Sequence, residues 1–367
     1  MPRRRVGRIF ISATGQNDGK TVVSLGLIYA FKDRFERVGF IKPVGQRYVV
    51  EQDEKVDEDS VVIEKICGIE CAIKDMSPIA IEKGFTSKYV QKGGRNKLAQ
   101  RIKKSFKTVA RNKDLVIIEG TGHAGVGSVF DLCNATVAKM LESKVVIVSS
   151  GGIGRPIDEI TLNAALFEKK GVEIAGVIIN KVKPEKFDKV NKLVRLGLKR
   201  KGLRVLGVIP YRELLSEPTI GQIADELDFK LLNCDGCLDM RVAKILVGAM
   251  GPHEALRYFS DKSLIITPGD REDMILTVAG YQMEKAKEGM QIAGIVLSGG
   301  IKPHKTIVDL LKGANIPLLL ATGDTYSVAS RVHDLAVKLK PEDSEKAGII
   351  RDLIERYVDI ELLAKHL

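Results

Sequence analysis

Residues 11–23 read Ile11-Ser-Ala-Thr-Gly-Gln-Asn-Asp-Gly-Lys-Thr-Val-Val23, and the fold turns on this stretch. A β-rich apolar run enters a loop closed by Gly19-Lys20-Thr21, and a helical pattern follows at once. A strand, a tight loop and a helix in that order are what a phosphate loop requires. Backbone N–H groups from Asn17 to Val22 would line a concave nest at the positive end of the helix. Gly19 leaves the main chain open to close approach by phosphate. Lys20 would reach the β- and γ-phosphates, and the Thr21 hydroxyl would ligate Mg²⁺. Asp18 falls inside the nest, where a carboxylate repels phosphate unless it turns away or helps to hold metal. The usual spacing G-x-x-x-x-G-K-[ST] wants glycine at position 14. Here Thr14 stands there and Gly15 follows one residue late. Taken alone, the loop also fits a glycine-rich turn with an incidental lysine.

The flanking chain repeats the alternation of strand and helix. Strands are expected at residues 8–13, 39–42, 115–119, 145–149, 175–180 and 205–209. Each is apolar on both faces, as parallel strands covered by helices must be. Helical patterns lie between them, among them residues 20–35, 97–112 and 131–141. After Pro210 the rhythm loosens into an irregular connection over 211–240 that contains a short helix, 220–227. A second cycle then sets strands at 264–267, 293–297 and 317–321 against helices at 272–288, 305–312, 326–336 and 345–357. The expected architecture is α/β: a P-loop parallel-sheet domain over residues 1–235 and a smaller α/β domain over 236–367.

With 44% apolar and 29% charged residues, the chain of 367 can bury a real core, which excludes wholesale disorder. No apolar run is long enough to span a bilayer. The start, Met1-Pro-Arg-Arg-Arg, imitates a signal peptide, but Ile9-Phe-Ile behind it is too short, so a cytoplasmic protein is expected. Five cysteines, an odd number, speak against a disulfide framework. Cys234-x-x-Cys237 and Cys67-x₃-Cys71 lack the second pair of a zinc site and the strand–helix setting of a redox motif.

Net charge is +11, and residues 83–113 hold eleven Lys/Arg with no Asp/Glu. Leu98, Ile102, Phe106 and Val109 recur there at helical spacing, with Lys97, Arg101, Lys104 and Lys107 mostly elsewhere around the helix. The solvated face of an amphipathic helix explains this, and so does a surface that docks a polyanion. No nucleic-acid motif accompanies it and aromatic residues are sparse, so nucleic acid ranks last among the expected partners.

Lys20-Thr-Val-Val-Ser-Leu-Gly-Leu27 and Phe40-Ile-Lys-Pro-Val44 resemble the dethiobiotin-synthetase-like P-loop fold, in the version found at the N-terminus of long phosphotransacetylases. Asp59-Ser-Val-Val-Ile63, Val116-Ile-Ile-Glu-Gly-Thr-Gly122, Gly176-Val-Ile-Ile-Asn-Lys181 and Leu206-Gly-Val-Ile-Pro210 extend the match in chain order. Residues 263–341 resemble the DRTGG domain that follows in those proteins, through Ile265-Ile-Thr-Pro-Gly-Asp-Arg271 and Val296-Leu-Ser-Gly-Gly300.

The resemblance implies ATP and Mg²⁺ as cofactors. Thr21, Glu119 and Asp59 would hold the metal, and Asp57 is a neighbour able to substitute for Asp59. Asp59 reads equally well as a helix N-cap in the acidic stretch 51–59. Lys42 matches the lysine that meets substrate and γ-phosphate in the synthetases, where it and Lys20 would offset developing charge. Asn180 and residues 208–210, ending at Pro210, match positions that contact adenine. The glycine-rich loop 120–127 would lie over phosphates or substrate, with His123 a weak acid–base candidate.

Other features pull against synthetase chemistry. The synthetase loop carries Gly where Ala13 stands, Asp where Gly15 stands and an apolar residue where Asp18 stands. In the opposite direction, Lys20, lost from many phosphotransacetylase N-terminal domains, is present and argues for retained nucleotide binding. The chain ends at Leu367, after the DRTGG-like region, so acetyl transfer is not expected of this polypeptide. The small domain's loops at 268–271, 298–300 and 322–325 would converge on one crevice, with Arg271 clamping a small anionic metabolite, unless they are ordinary turns. Two functions follow from these expectations. One is a Mg-nucleotide-binding protein, able to transfer phosphoryl to a carboxylate-type substrate, with a ligand-sensing second domain. The other is a non-catalytic regulatory module acting on a partner. Related domains imply a homo-oligomer.

Overall fold

The computed structural model describes residues 6–233 and 235–367. The basic run at residues 1–5 and Cys234 of the Cys234/Cys237 pair lie outside the described residues. The chain divides into two compact units, one running to Tyr211 and resuming over Leu339–Leu367, the other Arg212–Lys338.

The first unit is built on six strands: β1 (Gly7–Ala13), β2 (Val38–Ile41), β3 (Leu115–His123), β4 (Lys144–Ser150), β5 (Ile174–Val182) and β6 (Val205–Pro210). All are parallel, in the order β6-β5-β4-β1-β3-β2. The central strands are buried on both faces, which is why their sequences read as unbroken apolar runs. In the register of β1 with β3, Ile11 lies opposite Glu119, so the carboxylate emerges beside the end of β1. There the loop begins, followed by helix α1 (Lys20–Lys32). Chain leaves β1 toward one side of the sheet and β4 continues on the other, so this edge is a topological switch point where ligands bind in such sheets.

Four further helices matter below: α2 (Glu58–Cys67), α3 (Phe85–Lys92), α4 (Arg95–Val109) and α5 (Gly154–Lys169). Two more of its helices are α6 (Phe187–Lys199) and α7 (Ser344–Tyr357). The last corrects the expected division at 235/236, which gave the whole C-terminal stretch to the second domain. Ala347, Ile350, Leu353 and Ile354 form a buried stripe on α7, and α7 packs on α1. A Cβ on Gly26 of α1 would collide with Ile354, so glycine there permits the close approach. Asp359 N–H then donates to the Leu206 carbonyl of β6 at 2.9 Å.

The second unit has a five-stranded sheet whose four longer members, Lys244–Val247, Ser263–Pro268, Gly294–Ser298 and Leu318–Leu320, are parallel. The short strand Lys230–Leu231 joins antiparallel to Leu318–Leu320. Alternate residues of its strands feed two cores: Ile265, Ile295 and Leu297 on one face, Leu264, Ile266 and Val296 on the other.

Candidate functional site

The loop after β1 folds back on itself. Asn17 (φ +61°) and Gly19 (φ +92°) take left-handed conformations. Asp18, only 8% exposed, turns its carboxylate inward rather than toward solvent. Its Oδ2 accepts from the Gly15 N–H at 2.6 Å and the Thr14 hydroxyl at 2.9 Å, and its Oδ1 accepts from Ser150 at 2.5 Å. A carboxylate thus sits on a main-chain N–H at the start of the loop. Beside it opens a cavity of ≈ 430 Å³ lined by Asp18, residues 150–156 and Glu159.

Two residues of β5 brace the loop from behind. Asn180, buried, donates through Nδ2 to the Asp18 carbonyl at 2.9 Å and accepts the Lys181 N–H on Oδ1 at 2.9 Å. Lys181 Nζ donates to the Asn17 carbonyl at 2.7 Å. The amide of Asn180, expected to meet adenine, is here a strut for the loop. Pro210 ends β6 in a buried position. Sequence reasoning missed Lys181, whose signal was its place directly after a recognised Asn. Val22 is half-buried in the first turn of α1.

Lys20 begins α1 and donates to the Gly15 carbonyl at 3.3 Å. Burial lowers its pKa, with Glu119 opposing. Thr21 donates from its hydroxyl to Glu119 Oε1 at 3.2 Å. Lys42, just past β2, is 6% exposed and faces three carboxylates. Its Nζ lies 2.9 Å from Asp57 Oδ1 and 3.3 Å from Glu119 Oε1, and pairs with Asp59 Oδ2. Burial by itself would lower this ammonium, but Asp59, Glu119 and Asp57 together hold its pKa well above the ordinary value. Burial also raises Glu119 and Asp57, against the pull of Lys42, because three acids share one cation. The structure therefore brings Lys20, Thr21, Lys42, Asp59 and Glu119 into one cluster.

Asp57, not Asp59, caps α2: its Oδ1 accepts from the Asp59 N–H at 3.0 Å. That resolves the two roles weighed for Asp59, whose carboxylate is released toward Lys42. A Cβ on Gly45 would collide with the Asp57 carboxylate, so glycine there lets the acidic turn close in. His123 is exposed, its Nδ1 accepting from the Gly125 N–H at 3.2 Å, and takes no part in the cluster. The glycine loop is held by Asn134, which sequence reasoning also missed. Its Nδ2 donates to the Thr121 and His123 carbonyls at 2.8 and 2.7 Å.

Mg²⁺ fits these residues. Glu119 Oε2 and the Ser24 hydroxyl are both buried without a well-formed hydrogen bond, and Ser24 stands close enough to Glu119 to favour its carboxylate. Three carboxylates around one ammonium leave an excess of negative charge, and the donors are all hard oxygens. Among the described residues no group of three or more His, Cys, Asp or Glu is disposed to hold an ion unaided. Mg²⁺ seldom uses such cages, since it completes its shell with water and phosphate.

In the second unit Arg271 is engaged locally. Its guanidinium meets Asp273 twice, at 2.8 and 3.0 Å, and donates to the Met250 carbonyl at 3.1 Å. The neighbouring loops are tied together by Gly299 N–H to the Gly323 carbonyl at 2.7 Å and by Ser298 Oγ with Thr325 Oγ1, also 2.7 Å apart.

Residues 7–219 match the family model described as AAA domain, more than half of the chain. The chain belongs to the AAA domain family. Its AAA domain is of the dethiobiotin-synthetase-like P-loop kind, and residues 222–335 match the DRTGG domain. This AAA-domain chain is 27% identical over 364 residues to a phosphate acetyltransferase of Pseudomonas putida, covering 95% of the chain and 50% of that protein. It is also 27% identical over 368 residues to one of Synechocystis sp., covering 98% of the chain and 51% of that protein. The chain thus spans about half the length of the curated relatives it matches, corresponding to the N-terminal region of long phosphate acetyltransferases. Among solved structures it is similar to a putative plasmid partition protein of Borrelia burgdorferi bound to AMPPNP, with 18% identity, 58% and 90% of the two chains covered and a TM-score of 0.39. It is also similar to the CBS and DRTGG domains of the Clostridium perfringens pyrophosphatase regulatory region complexed with diadenosine tetraphosphate. That likeness has 22% identity, 32% and 47% coverage and a TM-score of 0.27. Among the described residues no helix is long and apolar enough to cross a membrane.

Proposed function

We propose that the AAA domain binds a magnesium nucleotide, ATP in the first instance, and is built for phosphoryl transfer to a small anionic acceptor of the carboxylate type. The observation that carries this is Glu119: one oxygen accepts from Thr21, and the other is buried beside the Ser24 hydroxyl without a well-formed hydrogen bond. A buried carboxylate oxygen left in that state calls for a cation. Thr21, Glu119 and Asp59 would hold Mg²⁺, which would neutralise phosphate charge. Lys20 would close over the phosphates, and Lys42 would move from its carboxylates to the transferring group. The DRTGG domain would sense a small ligand. On the resemblance alone, we extend to the chain a cytoplasmic location and homo-oligomeric assembly.

A regulatory rather than catalytic role draws support from Asp18, whose carboxylate occupies the Gly15 N–H in the loop. Calorimetric titration with Mg-ATP tests the binding step: wild type should bind, and Lys20→Ala should not. Equal affinity in the two proteins refutes the phosphate-loop assignment. Phosphate release across a panel of small carboxylic acids then separates a synthetase from a sensor, since silence throughout leaves only the sensor.

A further inference from the structure

We propose that the surface formed by α3 and α4 docks the phosphate backbone of nucleic acid, without reading its bases. The sequence alone ranks nucleic acid last, because no nucleic-acid motif accompanies the run of positive charge, aromatic residues are sparse and a solvated helix face accounts for it. Three structural observations reverse that order.

First, the charges are unpaired. Every Lys and Arg from Lys83 to Arg111 is exposed, and none takes part in an ion pair among the described residues. The carboxylates nearest in sequence are engaged by other partners, and none pairs with these cations. Glu82 pairs with Lys55 at 2.6 Å, Asp114 pairs with Arg37 at 3.3 Å, and Asp131 accepts from the Tyr89 hydroxyl at 3.0 Å. Ordinary solvated helices interleave the two signs and gain from i,i+4 pairs.

Second, the arrangement works against the helix that carries it. α4 begins at Gly94 (φ +131°) with no side-chain cap and no acidic residue in its first turn. Arg95 and Lys97 instead stand at the positive end of the helix, where cations are unfavourable. A feature that opposes helix stability points to use by a partner.

Third, the shape suits a phosphate chain. Ile102, Phe106 and Val109 bury one side of α4, leaving Lys97, Arg101, Lys104, Lys107 and Arg111 toward the other. A helix of this length extends about 22 Å, and duplex DNA carries a charge roughly every 1.7 Å of its axis. Protein partners fit less well, because interface cores are rich in aromatic residues and poor in Lys. The local rings are spent on one another, with Phe85 and Tyr89 edge-on to Phe130 at centroid distances of 5.7 and 6.1 Å. They offer no platform for stacking bases, which leaves backbone contact.

Fluorescence anisotropy of the full chain with a labelled mixed-sequence duplex of about 30 base pairs tests this. Binding should be clear at about 50 mM salt and fall roughly 10²–10³-fold by 200 mM, the slope of about five phosphate contacts. The quadruple variant Lys97→Glu, Arg101→Glu, Lys104→Glu, Lys107→Glu should lose at least about 100-fold at low salt. A control of equal net charge on α6 and the residue before it, Lys186→Glu, Lys189→Glu, Lys192→Glu, Lys199→Glu, should stay within about threefold of wild type. If the reversed variant melts early, Gln at the same four positions replaces it, with about half the loss in log affinity. Absence of binding at low salt overturns the proposal. So does equal loss in both quadruple variants, which would leave net charge alone as the cause. Capture by polyglutamate, or by vesicles of phosphatidylcholine and phosphatidylserine, as tight as capture by DNA also overturns it.

Discussion

Gly19 and Asn180 are locked together: a Cβ on Gly19 would occupy the space of Asn180 Nδ2, the atom that holds the Asp18 carbonyl. Gly19 also needs its left-handed φ of +92°. Gly19→Ala should therefore cost about 2–4 kcal/mol of stability in denaturant melts, from backbone strain and crowding together. Mg-ATP affinity should fall at least about tenfold. Asn180→Ala should weaken binding without the clash, which separates the strut from the steric effect.

Asp18 carries a full charge where phosphate is proposed to lie. Asp18→Asn keeps an acceptor for the Gly15 N–H and removes the charge, so Mg-ATP should bind about tenfold more tightly by titration. Weaker binding would instead assign the carboxylate to metal.

Lys42 forms ion pairs with Asp57, Asp59 and Glu119. Lys42→Met should destabilise the protein by about 3–5 kcal/mol in chelator, since it strands buried carboxylates. Mg²⁺ should then raise the melting temperature of the variant more than that of wild type. Equal increments would place the ion elsewhere.

Burial pushes the Cys67 thiol up to about 12, against the opposing charge of Lys32. The folded protein holds that proton more tightly than the unfolded chain does. Its contribution to stability is thus fully present below the ordinary thiol pKa of 9.0 and lost as pH rises toward 12. At about pH 8, iodoacetamide should label half-buried Cys71 well before Cys67, as mass spectrometry of the intact protein would register.

Ile354 fills the space that Gly26 leaves open, and it is fully buried. Ile354→Ala should cost about 2–5 kcal/mol and speed hydrogen exchange in α1, while the strands of the Arg212–Lys338 unit keep their protection.

Much of this was legible because parallel strands covered on both faces must be apolar throughout. The six expected strands of the first sheet appear within a few residues of their places. The exception is β3, which was expected to stop at Glu119 and runs on to His123. Gly120-Thr-Gly122 reads as a loop, and the ties that hold it against the sheet come from distant residues, the Asn134 amide and the Val44 carbonyl among them. The edge strand Lys244–Val247 escaped notice because it is only partly buried and its sequence lacks the two-faced signal. Cluster membership for Lys42 and Glu119 came from motif order. The partition of labour between Asp57 and Asp59 did not, since both suit a helix start and only geometry tells which one caps. The pattern likewise revealed α7 as a helix but not its mate, because a helical pattern says nothing of what the helix meets.

The return of α7 to α1 makes the Arg212–Lys338 unit an insertion, entered and left through the same body. During synthesis the nucleotide-loop helix must wait, with one flank bare, until Ser344–Tyr357 has cleared the ribosome. A single nick between the units would leave the DRTGG part still leashed by its other strand of peptide, so freeing it takes two cuts.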